Sequence, residues 1–507
     1  MTGAEAVASV LVDLGTREVF GLVGSGNLEL ANSLVALDIA YHGACREDGA
    51  VAMADGYARV SGSVGVATVH QGPGFTNTLT ALTEALRSRT PLLLLAAETT
   101  YGNQATDQAA AAEALGAVAL RLSHPWDAVE AYRRARDERR TVVLNLPVDV
   151  LKSEAEPVSP LLPPEPGPRL PTDADVTLLV KALSAAERPL ILAGRGALGA
   201  GAPLAAIAES SGALLATTAA AHGLFAGHPR SLGIAGGFAS PLARRLLAEA
   251  DVVLAFGASL NRWTTVDGEL FSSARLVRVD IEQPADVSAD AAATAEALLA
   301  RDVRGDGFVE PVPYDRRGDF DDRSTAESID PRTLMIALDD LLPAGRCLSI
   351  DSGHFMGWPA MYLPVGAPDE FVMAQAFQAV GLGLATGIGA GVARRDRITA
   401  AFIGDGGARM SLMELDTAVR LSLPLLVVVV NDSGYGAEVH DFEPLGVDVE
   451  LARFPDVDFA TVARGLGAEA ATIRCREDLQ LLRGWAESPE APLLLDCKVN
   501  PDVAADW

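Results

Sequence analysis

Lysine is almost missing from this chain. Only Lys152, Lys181 and Lys498 occur in 507 residues. None follows a GxxxxGK(S/T) loop, which excludes a Walker-type nucleotidase, and none neighbours a polar cluster in sequence, which argues against Schiff-base chemistry. Cysteine is scarce as well. Cys45, Cys347, Cys475 and Cys497 stand apart with no CxxC pair, a pattern that fits a reducing cytoplasm and argues against a disulfide framework or a thiolate zinc site. The seven histidines show no HExxH or other close ligand spacing. Long apolar runs are lacking. Leu423-Pro-Leu-Leu-Val-Val-Val-Val430 falls far short of the ~18 to 20 residues that cross a bilayer. Met1-Thr-Gly-Ala-Glu has neither the basic nor the apolar region of a secretory signal, so a cytoplasmic location is expected. Positive charge is the last shortage: 40 Lys and Arg against 67 Asp and Glu leave a net charge of −27. Such a field repels nucleic acid and anionic membrane surfaces, so neither is expected as a partner. A phosphorylated ligand would need a local cation.

What is present is core-forming material. Hydrophobic residues make up 49% of the chain and charged residues 21%, enough for several packed cores; at about 150 residues per domain the length predicts roughly three. Pro157 to Pro171 carries seven prolines in fifteen residues and reads as an extended linker. The segment from about Arg304 to Asp330, rich in Asp, Arg, Gly and Pro, reads as a second linker. The expected domains are therefore 1–155, 172–303 and 328–507. Each alternates amphipathic helices with short apolar runs. In the first these are Glu18–Val23, Val64–Val69, Pro91–Ala96 and Thr141–Leu146. The second has Pro189–Gly194, Asp251–Gly257 and Leu276–Asp280, and the third Arg397–Gly404 and Pro424–Asn431. The fold class expected is α/β, with three mainly parallel sheets flanked by helices. Ligands of such sheets bind at the carboxyl ends of the strands.

The most informative segment lies at one such end. Gly404-Asp405-Gly406-Gly407 follows a strand, and after a helix and a second strand comes Asn431-Asp432-Ser433-Gly434-Tyr435-Gly436. Ser411 and Glu414 read as a capping box that opens the helix just after the glycines. Free amides at a helix start suit a phosphate. Asp405 and Asp432, 27 positions apart, each follow a parallel strand and can lie side by side; with a turn carbonyl they suit octahedral Mg²⁺. A plain strand-end turn is the bland alternative.

Here the sequence resembles the thiamine-diphosphate-dependent enzymes, whose diphosphate motif is GDG followed, after a helix and strand, by N-(N/D)-x-G. The resemblance implies thiamine diphosphate and Mg²⁺ as cofactors, with Asp405, Asp432 and the Gly434 carbonyl as metal ligands and Gly404, Gly406 and Gly407 against the diphosphate. The family usually has Asn where Asp432 stands. A second block supports the likeness: Arg46-Glu47-Asp48-Gly49-Ala50 and Ala54-Asp55-Gly56-Tyr57-Ala58-Arg59 are similar to the pyrimidine-binding block, making Glu47 the cofactor-activating glutamate. A buried carboxyl beside the aminopyrimidine promotes its imino tautomer, which removes the thiazolium C2 proton, and burial is expected to raise that acid's pKa. The alternative is a solvated glutamate in a helix's first turn. Gln378-Ala-Val380-Gly-Leu-Gly-Leu384 resembles the segment whose apolar side chain wedges between the two rings; Val380 would be the wedge and the Gln378 backbone a pyrimidine contact.

Four other places follow from the same likeness. His70 in His70-Gln71-Gly72-Pro73-Gly74 stands where benzoylformate-decarboxylase-like members carry a proton-shuttling histidine and acetolactate-synthase-like members usually do not; it is either catalytic or a structural strand-end residue. Gly24-Ser25-Gly26-Asn27 resembles the loop lining the substrate pocket, with Asn27 toward the cofactor and Ser25 and Gln71 toward the substrate. Gly353 and His354 match a turn on the diphosphate side. In the middle domain Gly194-Arg195-Gly196-Ala197-Leu198-Gly199 is formally GxGxxG, yet the next strand ends in Thr217-Thr218 and not in an acid, so the dinucleotide fingerprint is incomplete. Some relatives place FAD or a nucleotide there, where Asp280 could meet a ribose; the structural reading is favoured over FAD.

The general likeness is to acetolactate synthase large subunits, loosely including Phe256-Gly-Ala-Ser-Leu-Asn-Arg-Trp-Thr-Thr265. The C-terminal lid of several relatives is expected to be missing, the sequence stopping at Trp507. The resemblance implies a homodimer with Glu47 of one subunit serving the cofactor held by the other, or a dimer of such dimers. The leading expectation is decarboxylation of a 2-oxo acid and transfer of the acyl carbanion to a carbonyl acceptor. The alternatives are simple decarboxylation to an aldehyde, if His70 faces the cofactor, and, in another class, a non-catalytic assembly or nucleotide-sensing relative.

Overall fold

Three parallel sheets follow one another along the chain. The computed structural model describes residues 1–305, 307–308, 317 and 320–504; part of the expected 304–330 linker, and Trp507, lie outside them. The first sheet has six strands in the spatial order Ala40–Gly43, Glu18–Gly21, Gly65–Val69, Leu92–Glu98, Thr141–Pro147 and Val118–Arg121. The second has five: Arg275–Val279, Val252–Phe256, Pro189–Ala193, Leu214–Thr217 and Ser231–Ile234. In the third, six strands run Phe371–Met373, Cys347–Ile350, Thr399–Gly404, Leu425–Asn431, Leu493–Lys498 and Glu469–Ile473. Every pairing is parallel, so the connections must cross over the faces and helices cover both sides. The central strands are fully buried, Leu425–Asn431 along its whole length, as their unbroken Val and Leu runs require.

The first and third sheets share one core. Helix Glu47–Ser61 lies against helix Gly383–Ala393. Glycine lets the two backbones touch: a Cβ on Gly56 would stand 2.1 Å from the Thr386 carbonyl oxygen, and one on Gly389 would stand 1.9 Å from that of Met53. Neither position has room for a methyl group, so the start of the Glu47 helix is fixed relative to the third sheet. The second sheet carries its own cores on its two faces.

The formal GxGxxG turn takes a form of its own here. Residues Arg195–Ala200 are 3₁₀-helical, and the loop packs on the strand-end turn at Gly257. A Cβ on Gly194 would stand 2.3 Å from the Gly257 carbonyl oxygen, and one on Gly257 would stand 2.4 Å from Gly196 Cα. Gly257, at φ +56°, needs glycine for its backbone as well. The Arg195 guanidinium donates to the Ser88 carbonyl of the first domain.

Candidate active site

Strands Thr399–Gly404 and Leu425–Asn431 are direct neighbours, with Gly404 opposite Val430, so Asp405 and Asp432 leave the sheet side by side. Asp405 is buried and Asp432 half-buried. Burial, and the second carboxylate for Asp405, push Asp405 up to about 8 and raise Asp432 as well. Two carboxyls this close hold a proton between them unless a cation displaces it. That is the chemistry of a divalent oxygen-ligand site, and with the Gly434 carbonyl the pair could hold Mg²⁺. No cluster of three or more His, Cys, Asp or Glu side chains spaced for a metal occurs among the described residues, so remaining ligands would be water and phosphate oxygens.

The helix that follows starts at Asp405 itself and ends at Ser411, with Gly404 as N-cap and no side-chain cap. The expected capping box is not formed. Ser411 Oγ donates back to the Gly407 carbonyl at 2.9 Å, at the helix's far end. Glu414 instead accepts from the Cys45 and Arg46 N–H groups at 3.1 and 2.9 Å and from the Thr417 hydroxyl. Arg46 is the N-cap of the Glu47 helix and its side chain does not cap the helix amides, so the donors at this helix start draw the buried carboxylate away. Side chains are excluded from the glycine turn: a Cβ would meet the Tyr435 ring at 2.6 Å from Gly406 and Asp351 Oδ2 at 2.6 Å from Gly407.

Around this turn the structure gathers further residues. Val380 is 39% exposed, its Cγ1 3.4 Å from where a Gly407 Cβ would stand. Gln378 adopts φ +62° and Gly381 φ +95°. Asp351, fully buried, accepts from the N–H groups of Gly381, Leu382 and Gly383 at 2.8, 3.2 and 3.1 Å; burial nonetheless pushes its carboxyl up to about 7. Gly353 has φ +151°, and His354 lies across Gly436 from Asp432. The His354 ring stacks on His440 at 4.5 Å, and burial, then the neighbouring imidazole, lowers it to about 4. Asp351 and His440 carry no motif signal of their own; their place shows only in three dimensions.

A second group forms on the first sheet. Glu47 opens its helix half-buried and accepts from Asn77 Nδ2 at 3.0 Å. A Cβ on Gly74 would stand 3.0 Å from His70 Cβ and 3.5 Å from Glu47 Oε1, so His70 and Glu47 flank one glycine. His70 Nδ1 accepts the Gly26 N–H at 3.1 Å, which places the proton of the neutral ring on Nε2. Gln71 donates to Gln104 Oε1 at 3.0 Å, while its own buried Oε1 has no partner. Ser25 is exposed. Asn27 turns inward: Oδ1 accepts from Gly24, and Nδ2 donates to the Leu22 carbonyl and Thr68 Oγ1, so this side chain shapes the loop. Asn77, invisible to motif reading, joins the group through Glu47.

Comparison with known proteins gives consistent matches. Residues 1–117 match the model of the thiamine pyrophosphate enzyme N-terminal TPP binding domain, 176–303 the central domain and 351–497 the C-terminal TPP binding domain. The chain is 31% identical to the probable 2-ketoarginine decarboxylase AruI of Pseudomonas aeruginosa, over 95% of this chain and 90% of that protein. It is 29% identical to a sulfoacetaldehyde acetyltransferase of Castellaniella defragrans (94% and 89% covered), and 26% to a probable acetolactate synthase large subunit of Methanocaldococcus jannaschii (99% and 93%). In fold it resembles the Rhodococcus jostii RHA1 thiamine diphosphate-dependent 4-hydroxybenzoylformate decarboxylase, with TM-score 0.87 at 23% identity and 99% of each chain covered. No helix among the described residues is long and apolar enough to cross a membrane. The diphosphate-type turn, the glutamate block and matches along almost the whole length agree: this chain is a thiamine-diphosphate-dependent enzyme of the 2-oxo acid decarboxylase and carboligase family.

Proposed function

We propose that the enzyme decarboxylates a 2-oxo acid and releases an aldehyde, with the His70 Nε2–H as a hydrogen-bond donor that orients the water supplying the proton. The observation that carries this is the sharing of Gly74 by the His70 Cβ and the Glu47 carboxylate, which starts the imidazole, held on the Gly24–Gly26 turn with its proton on Nε2, from the same glycine that meets the proposed activating carboxylate. The sequence alone put ligation first; the position of His70 shifts the balance. Thiamine diphosphate, when bound, supplies an electron sink for the carbanion left by CO₂ loss. The chain's own residues do the rest. Asp405, Asp432 and the Gly434 carbonyl would hold Mg²⁺, and Gly404, Gly406 and Gly407 would leave room for the diphosphate. Gly353 and His354 close the turn on that side. Val380 and the Gln378 backbone would contact the cofactor's rings. Glu47, oriented by Asn77, would share a proton with the aminopyrimidine nitrogen. Gln71, whose buried Oε1 lacks a partner, and Ser25 face the substrate.

The two groups act together across a homodimer, the partner subunit's Glu47 serving the Asp405 pair. Exposed apolar side chains beside both groups support this: Val23 and Leu28 next to the Gly24–Asn27 loop, and Phe377, Val380, Met410 and Met413 next to the glycine turn. The domain limits fall in the two linker segments. Transfer of the acyl unit to a second carbonyl compound is the other reading, favoured by the acetyltransferase and synthase relatives.

A panel of 2-oxo acids assayed with cofactor and Mg²⁺ for CO₂ release, with trapping of the product, separates the two. Free aldehyde from the native enzyme, and a fall of roughly a hundredfold in its formation with His70→Ala, is expected. Acetolactate-type products with the His70 variant unimpaired would establish ligation instead.

A further inference from the structure

Glu84 lies 2% exposed on helix Leu79–Arg87 of the first domain, outside every motif named above. Its carboxylate reaches into the third domain. Oε1 accepts the Ala376 N–H at 3.0 Å, and Oε2 accepts the Phe377 N–H at 2.6 Å. Ser88 Oγ donates to Oε1 at 3.1 Å, and Arg59 Nη1 stands 3.8 Å away. Arg59 also pairs with Asp55 at 3.2 Å and donates to the Met373 carbonyl at 2.9 Å. Two successive backbone N–H groups turned toward one carboxylate resemble an anion nest, and here a protein side chain fills it, one oxygen to each amide. Only a carboxylate has acceptor capacity for both amides and a hydroxyl at once, and Arg59 compensates its burial.

The segment so held is the one that carries Gln378 and Val380. Its other end is fixed by Asp351, through the amides of Gly381, Leu382 and Gly383. Between these two buried carboxylates the backbone makes its left-handed step at Gln378, φ +62°, a conformation that costs a non-glycine residue free energy and persists when its surroundings enforce it. Val380 emerges from that stretch beside Gly407.

We infer that Glu84 is a positioning residue: it clamps the 374–381 segment from the neighbouring domain and so sets where Val380 stands over the diphosphate turn. This rests on the proposed role of Val380 against the cofactor rings. Glu84 touches neither cofactor nor substrate in this scheme; it acts through the loop.

The test uses the full-length chain and Glu84→Gln, which keeps the volume but offers one acceptor where two amides need one each. Amide hydrogen exchange, read without cofactor, is expected to rise about tenfold in 374–381 while 405–411 stays unchanged. With Mg²⁺ and thiamine diphosphate bound, exchange of the cofactor's C2 proton is expected to slow about tenfold while cofactor affinity changes less than about twofold. Adding Glu84→Gln to Val380→Ala is expected to cost far less than adding it to the native chain. Should Glu84→Gln fail to fold, Ser88→Ala, which removes one donor to the same carboxylate, is expected to move both exchange rates the same way by less. Unchanged amide exchange in 374–381, or a C2 rate that stays native while only the melting temperature falls, overturns the inference. Failure of the native chain to take up thiamine diphosphate would count against the functional reading, and the amide exchange would still decide the clamp.

Discussion

Two glycine-rich turns in this molecule occupy the same place in the same kind of sheet, and they are used differently. Gly194-Arg-Gly196 and Gly404-Asp-Gly-Gly407 both leave a parallel strand at its carboxyl end. At the first, another backbone fills the space a ligand would take: Gly257 lies so close to Gly194 and Gly196 that none of the three admits a Cβ. At the second, the neighbouring strand delivers a carboxylate, and the nearest contacts are the side chains of Tyr435 and Asp351 in place of another backbone. Glycine at a strand end shows only that something approaches closely. The identity of the approaching group, a second loop or a charged pair, decides between packing and binding.

That contrast can be broken in graded steps. Asp405→Ala removes the charge that distinguishes the second turn. Cofactor affinity measured with Mg²⁺ should fall at least about a hundredfold, since losing a ligand costs no less than losing its hydrogen-bonded support. Affinity unchanged by that substitution would make the two turns equivalent. Gly194→Ala should act on folding alone: its methyl would stand 2.3 Å from the Gly257 carbonyl oxygen, an overpacking worth about 1–3 kcal/mol in thermal denaturation, with cofactor affinity as in the native chain. A loss of affinity there would reveal a ligand role for the central turn.

The smallest effect is in pH. Asp405 is raised to about 8 and Asp432 is raised with it, so below that pH Mg²⁺ must displace a proton from the pair. Metal affinity, followed by calorimetry, should climb by up to tenfold per unit toward about pH 8 and then level off. The sign for folding is the opposite. A carboxyl raised in the folded state binds a proton that the unfolded chain has already released, so the metal-free protein should lose stability as pH rises from about 4 toward 8, and Mg²⁺ should restore it. His354, lowered to about 4, works against this fall below about pH 6.5, where the unfolded chain's imidazole takes up a proton that the folded one does not, so the effect of the carboxyl pair is read between about pH 6.5 and 8.

The contrast also shows what sequence can carry. The third-domain turn was legible because its parts are local: a strand, Gly-Asp-Gly-Gly, and an Asn-Asp-x-Gly at the end of the adjacent strand. Most of the buried strands were legible for the same reason; Cys347–Ile350, short and buried inside the third sheet, was not among those read. Strands Ala40–Gly43, Val118–Arg121 and Glu469–Ile473 were not, since they are half-exposed edges with little apolar periodicity to read. The Ser411–Glu414 pair satisfied a local capping rule, and a pair of donors from another domain overrode it. Glu414 meets Cys45 across 369 positions and Glu84 meets Ala376 across 292. No spacing rule reaches that far, because those contacts exist only after the helices Glu47–Ser61 and Gly383–Ala393 have packed.

The central claim is that the carboxylate pair at the third-domain turn holds a divalent ion that anchors the cofactor. Calorimetric titration of thiamine diphosphate into the native chain at pH 8, with Mg²⁺ and again with a chelator, tests it most directly. Saturable uptake with Mg²⁺ that disappears with the chelator is the predicted result. Uptake that ignores the chelator, or no uptake in either case, would contradict it.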